Sequence, residues 1–344
     1  MEVKAPGVLK LLGEHASVYG RLAIAIAADR YARVDARKTG VSPFRLILKD
    51  FNGLEVELDK RKLGELYDSY KNKKDIAGYA DGPHGISAPM LPYATIAARL
   101  AIEQGVSLEG MSATVTSDIP MQSGMASSGA CCVAFTVALL RAGKKRLPDV
   151  LTVDIARDGD RVVHRNLNAG TIDVNTSYYG GYVSYSAASG AKREDAAARL
   201  DLLVVDTGPK KSTAETVGHV AELREQNKER IETVLDKIHE CSMKGLDCLK
   251  GNDIPTLGAC MYMDHELLRE LEVSSKGLDN AVSIAREYGA YGAKLSGGGG
   301  GGIAIVLNSD GVKRARLIDR YQHSGFKVYT VNTALEGAYN YFPR

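Results

Sequence analysis

The chain has 344 residues, enough for two domains of ordinary size and for an apolar core that needs no disulfide or structural metal. The net charge is only +2 and the basic residues are dispersed, which argues against a nucleic-acid-binding surface. The five cysteines form no metal-ligand spacing, MEVKAPG at the start of the sequence lacks the charged-then-apolar layout of a signal peptide, and the longest apolar run is too short to cross a membrane. We therefore expect a cytoplasmic protein that binds neither nucleic acid nor membrane.

The first half of the chain alternates predicted strands and helices. Apolar stretches and period-two alternation predict strands at 8–12, 22–28 and 31–37. Residues 45–48 and 54–58 flank Asn52-Gly53, a strong hairpin signal. Further predictions are helices at 88–104, 130–141 and 149–167, a polar helix or loop at 60–74, a strand at 111–119, and a loop that ends at Gly180-Gly181. The N-terminal sheet should be antiparallel or mixed.

The second half has the pattern of an α+β unit. Strands are predicted at 182–187, 202–205, 302–307 and 327–331, and helices within 213–250, 254–270, 275–288 and 312–323. We expect an N-terminal domain at 1–185 and a C-terminal domain at 186–344, and the last strand is allowed to return to the first domain.

A small-residue loop, PMQSGMASSGA, lies between a predicted strand and an apolar helix. Small residues allow the backbone to approach an anion, and the following helix supplies unpaired N–H groups. Serine hydroxyls here either cap the helix, bind phosphate oxygens or ligate magnesium. The candidate phosphate-binding residues are Pro120, Ser123, Gly124, Met125, Ala126, Ser127, Ser128 and Gly129. A capped helix after a tight turn is the alternative.

A second loop contains six consecutive glycines, in KLSGGGGGGI ahead of an apolar strand. Glycine loses much backbone entropy on ordering, so such a run favours close backbone approach to a ligand. A flexible linker is the alternative.

Two other segments carry charged groups. Lys10, Glu14 and His15 interrupt an otherwise apolar strand and turn, and Asp173 lies among small polar residues ahead of an aromatic pair. Each has a structural alternative: a lone histidine is commonly a hydrogen-bonded core residue, and an aspartate commonly caps a turn.

In this order, KAPGVLKLLGEHASVYG, PMQSGMASSGA and KLSGGGGGGI resemble the three motifs of the GHMP kinases. Within that family, GEHASVYG, DTGPKKST and DHELL look most like the mevalonate kinase branch. The resemblance covers nearly the whole chain. It implies an α+β, two-domain GHMP kinase fold, with an N-terminal domain like ribosomal protein S5 domain 2 and a ferredoxin-like C-terminal domain. It also implies transfer of phosphate from ATP to the 5-hydroxyl of mevalonate, with Mg²⁺.

By motif position, the resemblance makes Asp173 the catalytic aspartate and Ser128 a magnesium ligand. Glu14 and His15 would face the acceptor, and Ser212 and Thr213 would border it. The start of the glycine loop would close the phosphate and acceptor site through Ser296, Gly297, Gly298 and Gly299.

The sequence departs from the family at two charged positions. The usual lysine after Ala-Pro-Gly is Val8, and Lys10, two residues later on the same strand face, is the expected replacement. The usual magnesium-binding glutamate is Val162, and Asp160 is the nearest acid. A related kinase for a phosphorylated mevalonate, a sugar kinase and a non-catalytic sensor are alternatives, and a homodimer is left open.

Overall fold

The computed structural model describes residues 2–72, 79, 85–120, 123–167, 169, 171–208, 212–308 and 311–342. In this part of the chain, the strands form two sheets, each covered by helices. The first sheet contains seven strands: β1 (Glu2–Leu12), β2 (Ala23–Lys38), β3 (Phe44–Leu48), β4 (Leu54–Leu58), β5 (Met111–Ser117), β6 (Tyr182–Ser186) and β7 (Gly190–Glu194). Its helices are α1 (Lys60–Asn72), α2 (Leu91–Ile102), α3 (Ser127–Ala142), α4 (Asp149–His164) and α5 (Thr171–Tyr179).

The long strand β2 organises the first sheet. It pairs with β1 along one edge, and with β5 and then β6 along the other. The β3–β4 pair is the predicted hairpin, and Asn52 and Gly53 both adopt positive φ in its loop. Only β3 and β5 pair in parallel among the strands described, so of the predicted alternatives, antiparallel or mixed, the sheet is mixed.

The second sheet contains β8 (Asp201–Asp206), β9 (Gly292–Ser296), β10 (Ile303–Leu307) and β11 (Lys327–Asn332). Its order is β11-β8-β10-β9 with antiparallel pairing, which is the strand order of a ferredoxin-like sheet. Between β8 and β9 run α6 (Thr213–Gln226), α7 (Lys228–Gly251), α8 (Ile254–Glu270) and α9 (Lys276–Glu287). Helix α10 (Gly311–His323) joins β10 to β11, and short 3₁₀ helices lie at Ala16–Tyr19 and Ala338–Tyr341.

The two units share an apolar interface through the second sheet. Alternate residues of β8 point to opposite faces: Leu202 and Val204 join the core of the first unit, whereas Leu203 and Val205 join the core under the second unit's helices. A sheet buried on both faces explains the uninterrupted apolar sequence of β10.

The prediction of a loop ending at Gly180-Gly181 is wrong, because residues 171–179 form α5. Its β-branched and turn-forming residues have low helix propensity. Burial of Val174 and Tyr178 stabilises the helix nevertheless, and the buried Thr176 hydroxyl is satisfied by donating to the Ile172 carbonyl. The sequence pattern does not predict strands β7 and β9, and the predicted helical region 213–250 is interrupted at Asn227.

Helix α3 begins at Ser127, three residues earlier than predicted. Residues 73 and 74 of the predicted polar segment lie outside the described residues. All five cysteines are free thiols. Among the described helices, none is both long and apolar enough to cross a membrane. The division at residue 185 stays a prediction; pairing changes from the first sheet to the second between Glu194 and Asp201.

Candidate active site

A cleft of about 480 Å³ lies where β1, the start of α3, α5 and the glycine loop meet. Its volume is typical of small-molecule sites. The lining includes most of the residues selected from the sequence: Lys10, Glu14, His15, Pro120, Ser123, Gly124, Met125, Ala126, Ser127, Ser128, Asp173, Thr213, Ser296, Gly297, Gly298 and Gly299. Gly129, Asp160 and Ser212 are not in its lining. Residues 121 and 122 of the first loop and 209–211 of the DTGPKKST segment lie outside the described residues.

Lys10 and Asp173 form an ion pair in this cleft. Val8 and Lys10 both line it, as expected for alternate residues of β1, and the Lys10 ammonium donates to Asp173 Oδ1. The two side chains are 22% and 26% exposed, so a ligand can reach both. Burial lowers the pKa of Lys10 to about 8, against the opposing charges of Glu14 and Asp160. The lysine therefore lies beside the carboxylate despite its shift along the strand.

The start of α3 presents backbone donors to the same cleft. The first N–H groups of any helix lack partners within it. Gly124 and Ala126 adopt positive φ immediately before the helix, which turns the chain sharply into it. The Val8 N–H donates to the Met125 carbonyl at 3.0 Å, fixing this loop to β1. This arrangement fits an anion such as phosphate.

Asp160, Ser128 and His164 converge behind this helix start. The Asp160 side chain is 2% exposed, and its Oδ1 atom has no hydrogen-bond partner. Gly129 separates Asp160 from Asp173, since a Cβ atom there would lie 3.8 Å from Asp160 Oδ1 and 3.6 Å from Asp173 Cβ. Among the described residues, no group of three histidine, cysteine or acidic side chains could hold a metal alone. A serine and a carboxylate suit Mg²⁺, which usually takes its other ligands from phosphates and water.

The glycine loop is ordered by contacts on both sides. The Gly298 carbonyl accepts from His15 Nε2 at 3.0 Å, and the Gly300 N–H donates to the Val273 carbonyl at 2.7 Å. A Cβ atom at Gly299 would lie 2.0 Å from that same carbonyl oxygen. The Ser296 hydroxyl accepts from the Lys10 N–H at 3.0 Å and donates to the Lys10 carbonyl at 2.9 Å. The flexible-linker alternative is therefore wrong.

Below the loop lies a buried triad of charges, defined by Lys294, Glu14 and Asp264. Lys294 Nζ is 2.5 Å from Glu14 Oε1 and 3.4 Å from Asp264 Oδ2, and the Lys294 and Asp264 side chains are fully buried. Burial raises the pKa of Asp264 to about 7, although Lys294 opposes the shift. The Lys294 ammonium therefore holds the Glu14 carboxylate in place.

Ser212 and Thr213 begin α6. The Ser212 hydroxyl accepts from the Glu215 N–H at 3.2 Å, and the Glu215 carboxylate accepts from the Ser212 N–H at 2.8 Å, a reciprocal capping box. Thr213 lines the cleft and lies against Gly298. Ser212 thus holds the helix whose first residue faces the site.

A second cavity of about 450 Å³ adjoins the first and shares Ser127, Ser128 and Val163 with it. Its other lining residues are largely apolar and include Phe51 and Tyr93. An apolar lining that includes two aromatic rings suits a planar ring.

Two family models match this chain: "GHMP kinases N terminal domain" over residues 92–181 and "GHMP kinases C terminal" over 246–325. A mevalonate kinase of Pyrococcus abyssi is 33% identical over 313 residues, covering 88% of this chain and 87% of that protein. The chain belongs to the GHMP kinase family. This GHMP kinase is an ATP-dependent small-molecule kinase.

Other comparisons agree with this membership. A mevalonate kinase of Thermococcus sibiricus is 31% identical over 313 residues, 88% of this GHMP kinase and 87% of the relative. The crystal structure of the Methanococcus jannaschii mevalonate kinase superposes with a TM-score of 0.78 at 22% identity, covering 97% of this chain and 98% of that one. The GHMP kinase fold expected from the motifs is confirmed.

Sequence reasoning missed several residues of this GHMP kinase's candidate site. His164 follows Asp160 by four residues on one helix face, a spacing that can be read from sequence. Lys294 and Asp264 lie in the segments KLSGGGGGGI and DHELL, which resemble family motifs, but only the fold brings them to Glu14. Phe51 and Tyr93 had no local signal, because they reach the second cavity from separate elements.

Proposed function

We propose that this chain transfers the terminal phosphate of ATP to the 5-hydroxyl of mevalonate. The observation that carries the proposal is the Lys10–Asp173 ion pair in a cleft between a helix start and a glycine loop. Mevalonate is proposed as the acceptor because the relatives are mevalonate kinases.

ATP would lie across the two cavities. Its phosphates would bind the N–H groups at the start of α3 and the glycine loop, and its base would enter the apolar second cavity between Phe51 and Tyr93. Ser127 and Ser128 line both cavities, so they would lie near the middle of the nucleotide.

Asp173 would accept the proton of the acceptor hydroxyl or orient that hydroxyl for in-line attack. Lys10 would keep Asp173 ionised and offset negative charge on the transferring phosphate. Both roles require the lysine to carry its proton.

Glu14 and His15 would shape the acceptor pocket without supplying free charge. Glu14 is bound by Lys294, and burial lowers the pKa of His15, whose Nε2 donates to the Gly298 carbonyl. The imidazole is therefore neutral near pH 7 and serves to position the glycine loop.

Mg²⁺ would be held by Ser128 and Asp160. The buried Asp160 Oδ1, which has no hydrogen-bond partner, fits a carboxylate ligand. When bound, the ion would offset charge on the β- and γ-phosphates. Cytoplasmic location and a homodimer stay predictions.

The test is product formation from ATP with mevalonate, phosphomevalonate or mevalonate 3-phosphate as acceptor. We expect mevalonate to be preferred in kcat/KM by about tenfold or more, equivalent to about 1.4 kcal/mol of transition-state discrimination. Asp173→Asn should reduce kcat by about 100-fold or more. Preference for a phosphorylated acceptor, or full activity of Asp173→Asn, contradicts the proposal.

A further inference from the structure

His164 lies beside Asp160 and Ser128, and the family motifs assign it no role. It lies on the cleft side of α4, where its side chain is 52% exposed. Its Nε2 atom is 3.2 Å from Ser128 Oγ and 3.5 Å from Asp160 Oδ1. One imidazole nitrogen therefore faces both oxygens proposed to hold the cation.

The distances from His164 Nε2 to Ser128 Oγ and to Asp160 Oδ1 fit donor atoms that bind one ion. Adjacent ligands of an octahedral ion with bonds of about 2.1 Å lie roughly 3 Å apart. Helix α4 also keeps Asp160 and His164 close together, because residues four apart lie on one face of a helix. Asp160 Oδ1 is buried and has no hydrogen-bond partner, so the corner includes an acceptor that a cation would satisfy.

We propose that His164 is a third protein ligand of the nucleotide-bound cation, joining Ser128 and Asp160 in a mixed nitrogen and oxygen site. This inference rests on the proposed function, since it concerns the cation that accompanies ATP. An imidazole ligand suits transition metals, whereas Mg²⁺ favours oxygen donors. The site then binds Mn²⁺ and Co²⁺ better, relative to Mg²⁺, than an all-oxygen site does.

The deciding measurement is electron spin-echo spectroscopy of Mn²⁺ bound to the full chain with a non-hydrolysable ATP analogue. Wild type should show coupling of Mn²⁺ to an imidazole nitrogen, and His164→Ala should lose it. His323→Ala is the matched control, because His323 is an exposed histidine on α10. In the same complexes, His164→Ala should weaken Mn²⁺ binding by about tenfold or more, with a smaller effect on Mg²⁺.

Mn²⁺ bound without imidazole coupling in wild type overturns the inference, as does coupling that survives in His164→Ala. Phosphoryl transfer with Mg²⁺-ATP, assayed separately, distinguishes this failure from failure of the proposed function. Phosphoryl transfer without coupling of Mn²⁺ to nitrogen contradicts only the assignment of His164 as a ligand. Nitrogen coupling without transfer to any mevalonate-like acceptor supports the ligand and removes the proposed reaction.

Discussion

At the scale of single residues, the proposed roles of Lys10 depend on its charge state. Its ammonium contacts Asp173, and burial lowers its pKa to about 8. The protonated form predominates below that pH and is lost as pH rises through it. Because the adjacent Asp173 carboxylate also favours the protonated form, we place the midpoint at or above pH 8 and below the ordinary lysine value of 10.5; kcat/KM should be level below that midpoint and fall by about tenfold per pH unit above it.

Lys10→Arg is the matched variant, because a guanidinium stays protonated throughout this range. Its kcat/KM should be lower, since the geometry differs, but the alkaline decline should disappear. A decline with the same midpoint in Lys10→Arg would assign the titration to another group.

At the scale of elements, the glycine loop depends on close backbone approach. Gly299 has φ +77°, and a Cβ atom there would lie 2.0 Å from the Val273 carbonyl oxygen. Gly299→Ala must therefore displace the loop, which holds the Gly298 carbonyl against His15. We expect kcat/KM to fall by roughly 100-fold, the size typical of a 1 Å misplacement.

Gly190→Ala controls for backbone strain alone. Gly190 has φ +69° in the β6–β7 hairpin, with no atom within 4 Å of an added Cβ. This variant should lose about 1–2 kcal/mol of unfolding free energy and keep its activity. Equal activity losses in the two variants would show that strain, and not loop position, is responsible.

The C-terminal segment positions α5, which carries Asp173, by a similar close approach. An added Cβ at Gly337 would lie 2.2 Å from the Tyr178 carbonyl oxygen. We expect Gly337→Ala to cost about 1–3 kcal/mol in urea unfolding and to lower kcat, because α5 must shift. Gly218→Ala, in open space on α6, should change stability by less than about 1 kcal/mol. An unchanged kcat in Gly337→Ala would show that the position of the C-terminal segment does not affect catalysis.

Elements with strong local signals could be predicted from the sequence, and the others could not. The hairpin around Asn52-Gly53 and helix α8 follow from turn residues and apolar periodicity. Strand β9 did not, because its five residues include Lys294, which is buried only when Glu14 and Asp264 approach from distant parts of the chain. The contact of Lys10 with Asp173 is likewise tertiary: the motifs identified both residues, and the fold brings them together.

At the scale of the whole molecule, the buried triad links the two units. Glu14 follows β1 of the first sheet, Lys294 belongs to β9 of the second, and Asp264 lies on α8. One ammonium thus compensates two buried carboxylates at the interface. Among the described residues, Glu14 Oε2 and Asp264 Oδ1 have no hydrogen-bond partners, and the Asp264 carboxylate accepts one further bond at Oδ2, from the Gly13 N–H at 3.4 Å.

Removing the ammonium should therefore destabilise both units together. We expect Lys294→Met to lower the unfolding free energy by about 3–5 kcal/mol in urea at pH 7.5, since it leaves buried carboxylates unpaired. Adding Asp264→Leu should restore part of the loss. Additive effects of the two substitutions would mean that the groups act independently.

The pH dependence of stability tests the same triad without removing the lysine. Because the pKa of Asp264 is raised to about 7, the folded chain binds its proton more tightly than the unfolded chain. This carboxyl therefore adds stability as pH falls from about 7 toward its ordinary pKa near 3.8, and the gain disappears as pH rises again. Asp264→Asn cannot titrate, so its unfolding free energy should gain less over that window. Equal gains in wild type and Asp264→Asn would remove Asp264 as the titrating group and would leave its contact with Lys294 as an ordinary ion pair.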